Sequence, residues 1–370
     1  MIIGLKGVWR LLKINKVFVK GFRNLDEQVV EFTPLLNVIC GKNAQGKTNL
    51  LEAIYFATIG KSPRTRKDLD AIGFGKKNAK ISLYYERGGV EHCLEIELNS
   101  NQGKLVRVDG NQNVKLSDIV GLFGSVYFSP DELKLAQGSP GARRRFVDII
   151  NCQLSKDYMH DLQVFQRLMN QRNQLLKNKG AKLKEQLEVW DFSLAHACAR
   201  VGKARLEFSK KLEEFAKQAH FNLSDSKEVL SISYHSIYEG QPDFEDYYLE
   251  NVKKSFEKDL VLGYSSFGLQ NDDYVFKLNG LDLRKNCSQG QQRTATLALK
   301  LAELEILKQE YGEYPVLLLD DVLSELDKNR RTKLIEYFKD IQCLLTCTEF
   351  DLDLECNKLS VVDGVVQACC

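Results

Sequence analysis

Residues Gly41-Lys42-Asn43-Ala44-Gln45-Gly46-Lys47-Thr48 match the pattern G-x-x-x-x-G-K-[ST] in full. Glycines let such a loop wrap close enough for backbone N–H groups to reach phosphate oxygens, and a helix N-terminus behind it adds partial positive charge. Lys47 would neutralise the β- and γ-phosphates of ATP, and the Thr48 hydroxyl would ligate Mg²⁺. Far along the chain, Val316-Leu317-Leu318-Leu319 runs into Asp320-Asp321. A buried strand of this kind delivers Asp320 to the C-terminal edge of a sheet, where it can hold Mg²⁺ directly or through water. Asp321 is then placed to orient or activate an attacking water.

Lys47 and Asp320 are about 270 residues apart. A small P-loop enzyme completes both motifs within one compact sheet, so this chain must insert a large element and return. Just before the second motif stands Ser288-Gln289-Gly290-Gln291-Gln292-Arg293. Ser288 is a helix N-cap type residue, and Gly290 and Gln291 follow it into a strongly helical stretch. Such a helix start offers a hydroxyl, an open backbone N–H and a positive dipole end to an anion. One phosphate loop already serves the near side of a triphosphate. The second anion-binding helix start therefore fits the γ-phosphate of ATP held by another copy of the chain. Ser324-Glu325-Leu326-Asp327 is a polar turn suited to the same seam between copies.

The elements that must position these groups can be read from periodicity. Ile14–Phe22 and Gln28–Phe32 are strand-like, and Leu35–Cys40 is a short apolar run ending at Gly41. Asn49–Thr58 reads as a helix with Leu50, Leu51, Ile54 and Thr58 on one side. Residues 79–108 alternate as a meander that enters the turn Asp109-Gly110. From Arg143 to Ala219 there is no proline, and apolar residues recur at steps of three and four. One arm carries Tyr158, Leu162, Phe165, Met169 and Leu176, with Arg172 interrupting. The other carries Leu187, Trp190, Leu194, Val201 and Phe208, and the glycine-containing stretch Lys177–Lys182 separates the two. Two such helices can close their stripes on each other as a short antiparallel coiled coil. Strands at Val229–Tyr238 and Tyr274–Leu278, helices at Phe244–Leu260 and Gln289–Gln309, and a hairpin through Asp363-Gly364 complete the reading. The fold class is α/β: a P-loop head with a mixed sheet plus an inserted helical arm domain. The domains expected are residues 1–135 and 271–370 as the two halves of the head, with 136–270 as the arm and second lobe.

The bulk composition excludes little. Apolar residues are 44% of the 370, charged residues 28%, and the net charge is +2, which is ordinary for a soluble globular chain. That charge is too mild to argue for nucleic acid by itself. No run approaches the ~18 apolar residues of a membrane helix, and no secretory signal is read, so a cytoplasmic location is expected. The ten cysteines form no CxxC pairs and the five histidines are scattered, against a structural zinc.

Taken together these strings resemble the ABC/SMC head family, and within it the RecF-like branch. Further residues carry the resemblance: Gly21-Phe22-Arg23-Asn24, Phe128-Ser129-Pro130, Arg143-Arg144-Arg145-Phe146, Asp272-Asp273 and Leu278-Asn279-Gly280. It covers nearly the whole chain from about Leu12. The resemblance implies a two-lobed head with a short helical arm, ATP-driven homodimerisation, weak and slow ATP hydrolysis, and DNA binding in the closed dimer. It also implies work with RecO and RecR to place RecA on single-stranded gaps coated with SSB. Arg64 and Thr65 match the family and are carried over as nucleotide-side contacts, and Asp327 as a residue of the dimer seam. Where relatives carry Gly-Pro-His-Arg/Lys, this chain has Phe267-Gly268-Leu269-Gln270, so two basic groups are lost.

Candidate basic clusters for sequence-independent DNA contact are Lys61-Arg64-Arg66-Lys67, Lys76-Lys77 and Arg143-Arg144-Arg145. The alternative reading is an ABC subunit energising a membrane transporter. Against it, the strand Gln342–Glu349 offers Thr346 and Thr348 where a switch histidine would stand. A chromosome-organising SMC-like protein would need arms of hundreds of residues.

Overall fold

A computed structural model describes residues 12–65, 67–112, 114–130, 132–180, 182–224, 227–326, 328–350 and 354–369. Contacts divide the chain into Met1–Glu132 with Glu303–Cys370, and Leu133–Ala302. The second division falls inside a helix, so residues 271–302, expected in the C-terminal half of the head, pack with the second unit. Arg66 and Asp327 lie outside the described residues.

The first unit contains β1 (Lys13–Lys20), β2 (Gln28–Glu31), β3 (Leu36–Cys40), α1 (Lys47–Ile59), β4 (Asn78–Arg87), β5 (Val90–Asn99), β6 (Gly103–Val108), the one-turn α2 (Leu116–Ile119) and β7 (Ser125–Phe128). Its antiparallel sheet has the order β2-β1-β4-β5-β6. The meander closes through Asp109 and Gly110, both at positive φ (50° and 79°). This is the backbone that an Asp-Gly turn favours. The second unit contains α3 (Pro140–Leu154), α4 (Lys156–Asn178), α5 (Leu183–Leu223), β8 (Leu230–His235), α6 (Phe244–Leu262), β9 (Asp273–Leu278), β10 (Leu281–Asp282) and the one-turn α7 (Leu283–Asn286). The chain passes back through α8 (Gln289–Tyr311) into β11 (Val316–Asp320), α9 (Lys328–Tyr337), β12 (Cys343–Cys347), β13 (Asn357–Val362) and β14 (Val365–Ala368).

These last strands build the sheet β14-β13-β3-β12-β11-β7, parallel except for β14 at its edge. Every residue of β11 and β12 is buried, which fits a parallel sheet covered on both faces. Helix α1 contacts strands of both sheets of its unit. Its sequence explains how: Leu50, Leu51, Ala53, Ile54, Tyr55, Phe56 and Ala57 are all buried, so it is apolar around most of its circumference rather than along one stripe. Gln342 ties the two sheets together. Its side chain accepts from Ile14 N (2.6 Å) and donates to the carbonyls of Ile14 and Thr33 (both 2.8 Å).

In the second unit α4 and α5 run back on each other through a short connection, with Lys179 and Lys182 both left-handed (φ 46° and 60°). Their apolar stripes meet as expected, but Tyr248 and Val252 of α6 and Leu269 join the same core. The arm is thus a three-helix arrangement rather than a bare coiled coil. The uninterrupted helical periodicity from Arg143 conceals a break. Ser155 is extended (φ −141°) and its side chain caps α4 by accepting from Tyr158 N, so α3 and α4 are separate. Arg172 does not interrupt the stripe by facing solvent. It is fully buried and donates to Asp191 (2.6 Å), Asp259 and Ser265 (both 2.8 Å). Burial pushes the Asp191 carboxyl above its ordinary range, and the Arg172 charge opposes that shift.

Candidate functional site

The phosphate loop follows β3 and runs into the first two residues of α1, Lys47 and Thr48. Ala44 (φ 66°) and Gly46 (φ 119°) take left-handed backbone, turning the chain through the loop. A Cβ on Gly46 would lie 3.1 Å from the Asn24 side chain. The outer wall is held from elsewhere. Gln45 accepts at its side chain from Asp363 N (2.6 Å) and at its carbonyl from Gly364 N (2.9 Å), in the β13–β14 turn. Asn24 also accepts from Asn49 (2.7 Å). Lys47 is buried, and its ammonium donates to the carbonyls of Gly41 and Lys42 (3.0 Å for the latter), which keeps it within the loop. Lys42, Asn43 and Ala44 are exposed on the loop.

Strand β11 brings Asp320 to this loop across 272 residues: the Thr48 hydroxyl donates to Asp320 Oδ1 at 2.9 Å. The same carboxylate accepts from Thr346 Oγ1 (2.8 Å) and, at Oδ2, from Tyr127 OH (3.0 Å). Asp320 is only 4% exposed, and Thr346 is fully buried. Hydrogen bonds from three hydroxyls fix this carboxylate on three sides. Asp321 leaves the strand in a left-handed conformation (φ 52°), and its N–H donates to Thr346 Oγ1 (2.9 Å). Thr346 therefore holds the Asp320 carboxylate and the backbone of Asp321. Burial and the neighbouring Asp320 carboxylate push the Tyr127 phenol far up, so it stays a neutral donor.

Thr48 and Asp320 supply one hydroxyl and one carboxylate, hard oxygens of the kind Mg²⁺ takes. Among the described residues no group of three or more His, Cys, Asp or Glu gathers to hold a metal. A small divalent ion here would take its other ligands from phosphate oxygens and water, the usual manner for Mg²⁺.

Arg64 and Thr65 follow α1. Arg64 Nη1 donates to Asn49 Oδ1 (2.8 Å) and Glu52 Oε2 (3.1 Å), at the first turns of that helix. Glu52 is fully buried and also accepts from Arg23 and Ser62 (both 2.6 Å). The Ser62 hydroxyl in turn accepts from the N–H groups of Arg64 (2.9 Å) and Thr65 (3.0 Å). Arg64 keeps a partly exposed side chain, at 46%.

Within the second unit, Ser288 caps α8 reciprocally. Its N–H donates to Gln291 Oε1 (2.8 Å), and Gln291 N donates to Ser288 Oγ (3.3 Å), the two bonds of a capping box. The Gln291 amide nitrogen donates to Glu228 (2.7 Å), so that side chain is engaged within its own chain. Ser288 itself is exposed. The Arg143-Arg144-Arg145 cluster is largely consumed. Arg143 is buried and bidentate to Asp273 (2.8 and 2.7 Å), and Arg144 donates to the Asp272 carbonyl. Lys76 pairs with Asp26 (2.8 Å), while Lys61, Lys67 and Lys77 are exposed.

Tyr127, Glu52 and the double role of Thr346 are not visible in the sequence. Tyr127 lies one residue before the string Phe128-Ser129-Pro130. Thr346 stands out in sequence only as occupying the place of a switch histidine.

The "RecF/RecN/SMC N terminal domain" family model matches residues 13–365. The DNA replication and repair protein RecF of Lachnoclostridium phytofermentans is 41% identical over 361 residues, spanning 96% of this chain and 99% of that protein. That of Ruminiclostridium cellulolyticum is 37% identical over 369 residues, spanning 96% and 99%. Among solved structures, the recombination mediator protein RecF with ATP, of the RecFOR pathway, superposes with a TM-score of 0.92 at 33% identity, covering 99% of this chain and 100% of that one. An Smc head domain from Pyrococcus furiosus shares the fold at a TM-score of 0.54 and 16% identity, over 97% of this chain and 96% of that one. With a phosphate loop, a strand-borne acid and an inserted helical lobe arranged on that fold, and full-length relatives on both sides of the comparison, the chain belongs to the RecF family.

Proposed function

We propose that this chain is an ATP-dependent, DNA-binding recombination mediator that pairs with a second copy of itself when ATP is bound and hydrolyses it slowly. The observation that carries the reading is the hydrogen bond from Thr48 to Asp320, which unites the phosphate loop with the acid of the distant second motif. The likeness to a RecF–ATP structure supports ATP as the nucleotide. Magnesium-bound ATP supplies the scissile phosphoanhydride and a charge-neutralising ion. The chain's own groups do the rest. Backbone N–H groups of residues 41–48 and the start of α1 bind the phosphates. Lys47 leaves its two carbonyl acceptors for phosphate oxygens, and Thr48 and Asp320 hold the ion.

Asp321 is the candidate to orient water. Its carboxylate is one methylene shorter than a glutamate and is borne on a fixed left-handed backbone, which favours slow turnover. Ser288, Gly290 and Gln291 are assigned to the nucleotide of the partner copy. Gly290 supports this: a Cβ there would meet nothing nearer than 4.0 Å in its own chain. Arg64 and Thr65 remain assigned to the nucleotide side, and Asp327 to the dimer seam. DNA contact falls to Lys61, Lys67, Lys76 and Lys77, as sequence-independent phosphate contacts.

The ATP-bound relative acts in the RecFOR pathway. We carry RecO and RecR over from it as partners, with RecA placement at SSB-coated gaps as the outcome and the cytoplasm as the site of action. No helix among the described residues is long and apolar enough to cross a membrane. Sedimentation velocity with and without ATP and Mg²⁺ tests the switch. The expected result is a shift from monomer toward dimer on adding ATP, and an unchanged monomer at saturating ATP rejects it.

A further inference from the structure

β3 and β12 are parallel neighbours, and Cys40 stands opposite Cys347 in their register. The two sulfurs are 3.6 Å apart. Their strands are adjacent, so the backbones are near the separation that a disulfide spans; the sulfurs must still close by roughly 1.5 Å to a bond of about 2.05 Å, a movement shared by the side chains and the strand ends that carry them. Neither thiol has a part in nucleotide binding as described above, yet both flank the site. Cys40 immediately precedes Gly41, whose carbonyl accepts from Lys47. Cys347 immediately follows Thr346, which holds Asp320 and Asp321. Cys347 is buried and Cys40 is half-buried.

We propose that Cys40 and Cys347 are a modification site beneath the phosphate loop, a dithiol that a hydroperoxide converts to a disulfide with loss of nucleotide binding. The more accessible Cys40 thiolate attacks the peroxide oxygen. The O–O bond breaks, Cys40 becomes a sulfenic acid, and the departing hydroxide takes the one proton that the Cys40 thiol had released and leaves as water. The Cys347 sulfur then attacks the Cys40 sulfur. The S–O bond breaks, and the leaving hydroxide takes the Cys347 proton as a second water. Two thiols and one hydrogen peroxide thus give one disulfide and two waters, with the peroxide reduced by two electrons. Burial pushes the Cys347 thiol well up, against the opposing Lys47 ammonium, so the second step speeds up as pH rises.

The loop has little freedom to absorb the closure. A Cβ on Gly41 would already lie 2.5 Å from the Val361 carbonyl on the neighbouring strand. Drawing the ends of β3 and β12 together therefore moves the start of the loop and the Thr346 anchor relative to Lys47. The effect on nucleotide rests on the function proposed above, whereas disulfide formation does not.

The experiment uses the full chain, reduced and desalted, then treated with hydrogen peroxide at neutral and mildly alkaline pH. Free thiols are blocked and the protein is mapped without reduction. Binding of a fluorescent ATP analogue is measured in parallel. We expect a Cys40–Cys347 linked peptide, formed faster at the higher pH, and an affinity loss of about tenfold or more that dithiothreitol reverses. Cys347→Ser should bind the analogue and keep that affinity after peroxide. A link from Cys40 to the nearby Cys356, or terminal oxidation of Cys40 without a link, overturns the pairing. A Cys40–Cys347 link with unchanged affinity overturns its control of the site. Failure of the reduced chain to bind the analogue counts against the nucleotide reading, while the peptide map still decides the pairing.

Discussion

Replacing Thr346 with valine removes one oxygen and keeps the branched shape. In the native chain that oxygen donates to Asp320 Oδ1 at 2.8 Å and accepts from Asp321 N at 2.9 Å. The first is a hydrogen bond to a buried carboxylate, for which about 1.5–3 kcal/mol is typical. The second is partly covered, because Asp321 N also reaches the Thr346 carbonyl at 3.2 Å. It adds less than the ~1 kcal/mol of an ordinary bond. The loss should therefore be about 2–3 kcal/mol. The first unit spans about 200 residues, and domains of that size shift by roughly 2–4 °C per kcal/mol, so its unfolding midpoint should fall by about 4–12 °C. Asp320 keeps Thr48 and Tyr127, so ATP affinity should fall modestly, while hydrolysis should drop about tenfold as the Asp320 carboxylate and the Asp321 backbone lose their common anchor. Differential scanning calorimetry and a phosphate-release assay read the two effects. Tyr127→Phe removes the bond on the opposite oxygen. Because the two share one carboxylate, the double variant should depart from additivity by about 0.5–3 kcal/mol. A midpoint within about 1 °C of wild type, equivalent to roughly a third of a kcal/mol, with unchanged phosphate release would refute the assignment of Thr346 as the anchor.

Lys47→Arg should weaken the ATP analogue about tenfold or more by fluorescence titration, because a planar fork cannot fill the place of a compact ammonium inside the loop. Wild-type affinity in that variant would remove Lys47 from the site. Ser288→Arg should leave analogue binding intact but abolish the ATP-dependent dimer in sedimentation. Loss of analogue binding would instead make Ser288 a residue of its own chain's site. Arg172→Met should destabilise the second unit by about 3–5 kcal/mol, since it leaves buried carboxylates unpaired. Asp191 carries a carboxyl already raised by burial, and Arg172 opposes that rise. A carboxyl raised in the fold favours folding below its unfolded value and loses that advantage as pH climbs through its folded value. Removing Arg172 raises it further, so the gap between variant and wild type in thermal unfolding should widen from about pH 4 toward pH 7, a range set roughly by ordinary carboxylate values. A gap independent of pH would show that the cost is one of packing.

The phosphate loop and the β11 acids were legible because each is a contiguous string whose flanking apolar runs announce a buried strand. The partners that aim those acids were not. Tyr127 and Thr346 are polar residues inside fully buried strands, and only the pairing of β7 and β12 on either side of β11 brings them to Asp320. Glu52 looks like a helix surface residue until α1 is seen to be enclosed on more than one side. Arg172 breaks an apolar stripe in the sequence because the acids that neutralise it lie 19 and 87 residues away. The break at Ser155 carries neither glycine nor proline, and its only local signal is a capping serine. For Arg143 and Arg144, charge in a string says nothing of which carboxylate or carbonyl will claim it.

Strand β3 lies between β13 and β12, and Gln45 leans on the turn at Asp363 and Gly364. The first motif to leave a ribosome is thus shaped by neighbours that are made much later, as the 318-residue span from Gln45 to Asp363 shows. Until then an apolar strand has neither of its lasting flanks, which makes it prone to wrong pairing in a slow, long-range topology. Nucleotide capture should accordingly appear late in synthesis, only once β12, β13 and the turn at Asp363 have been made.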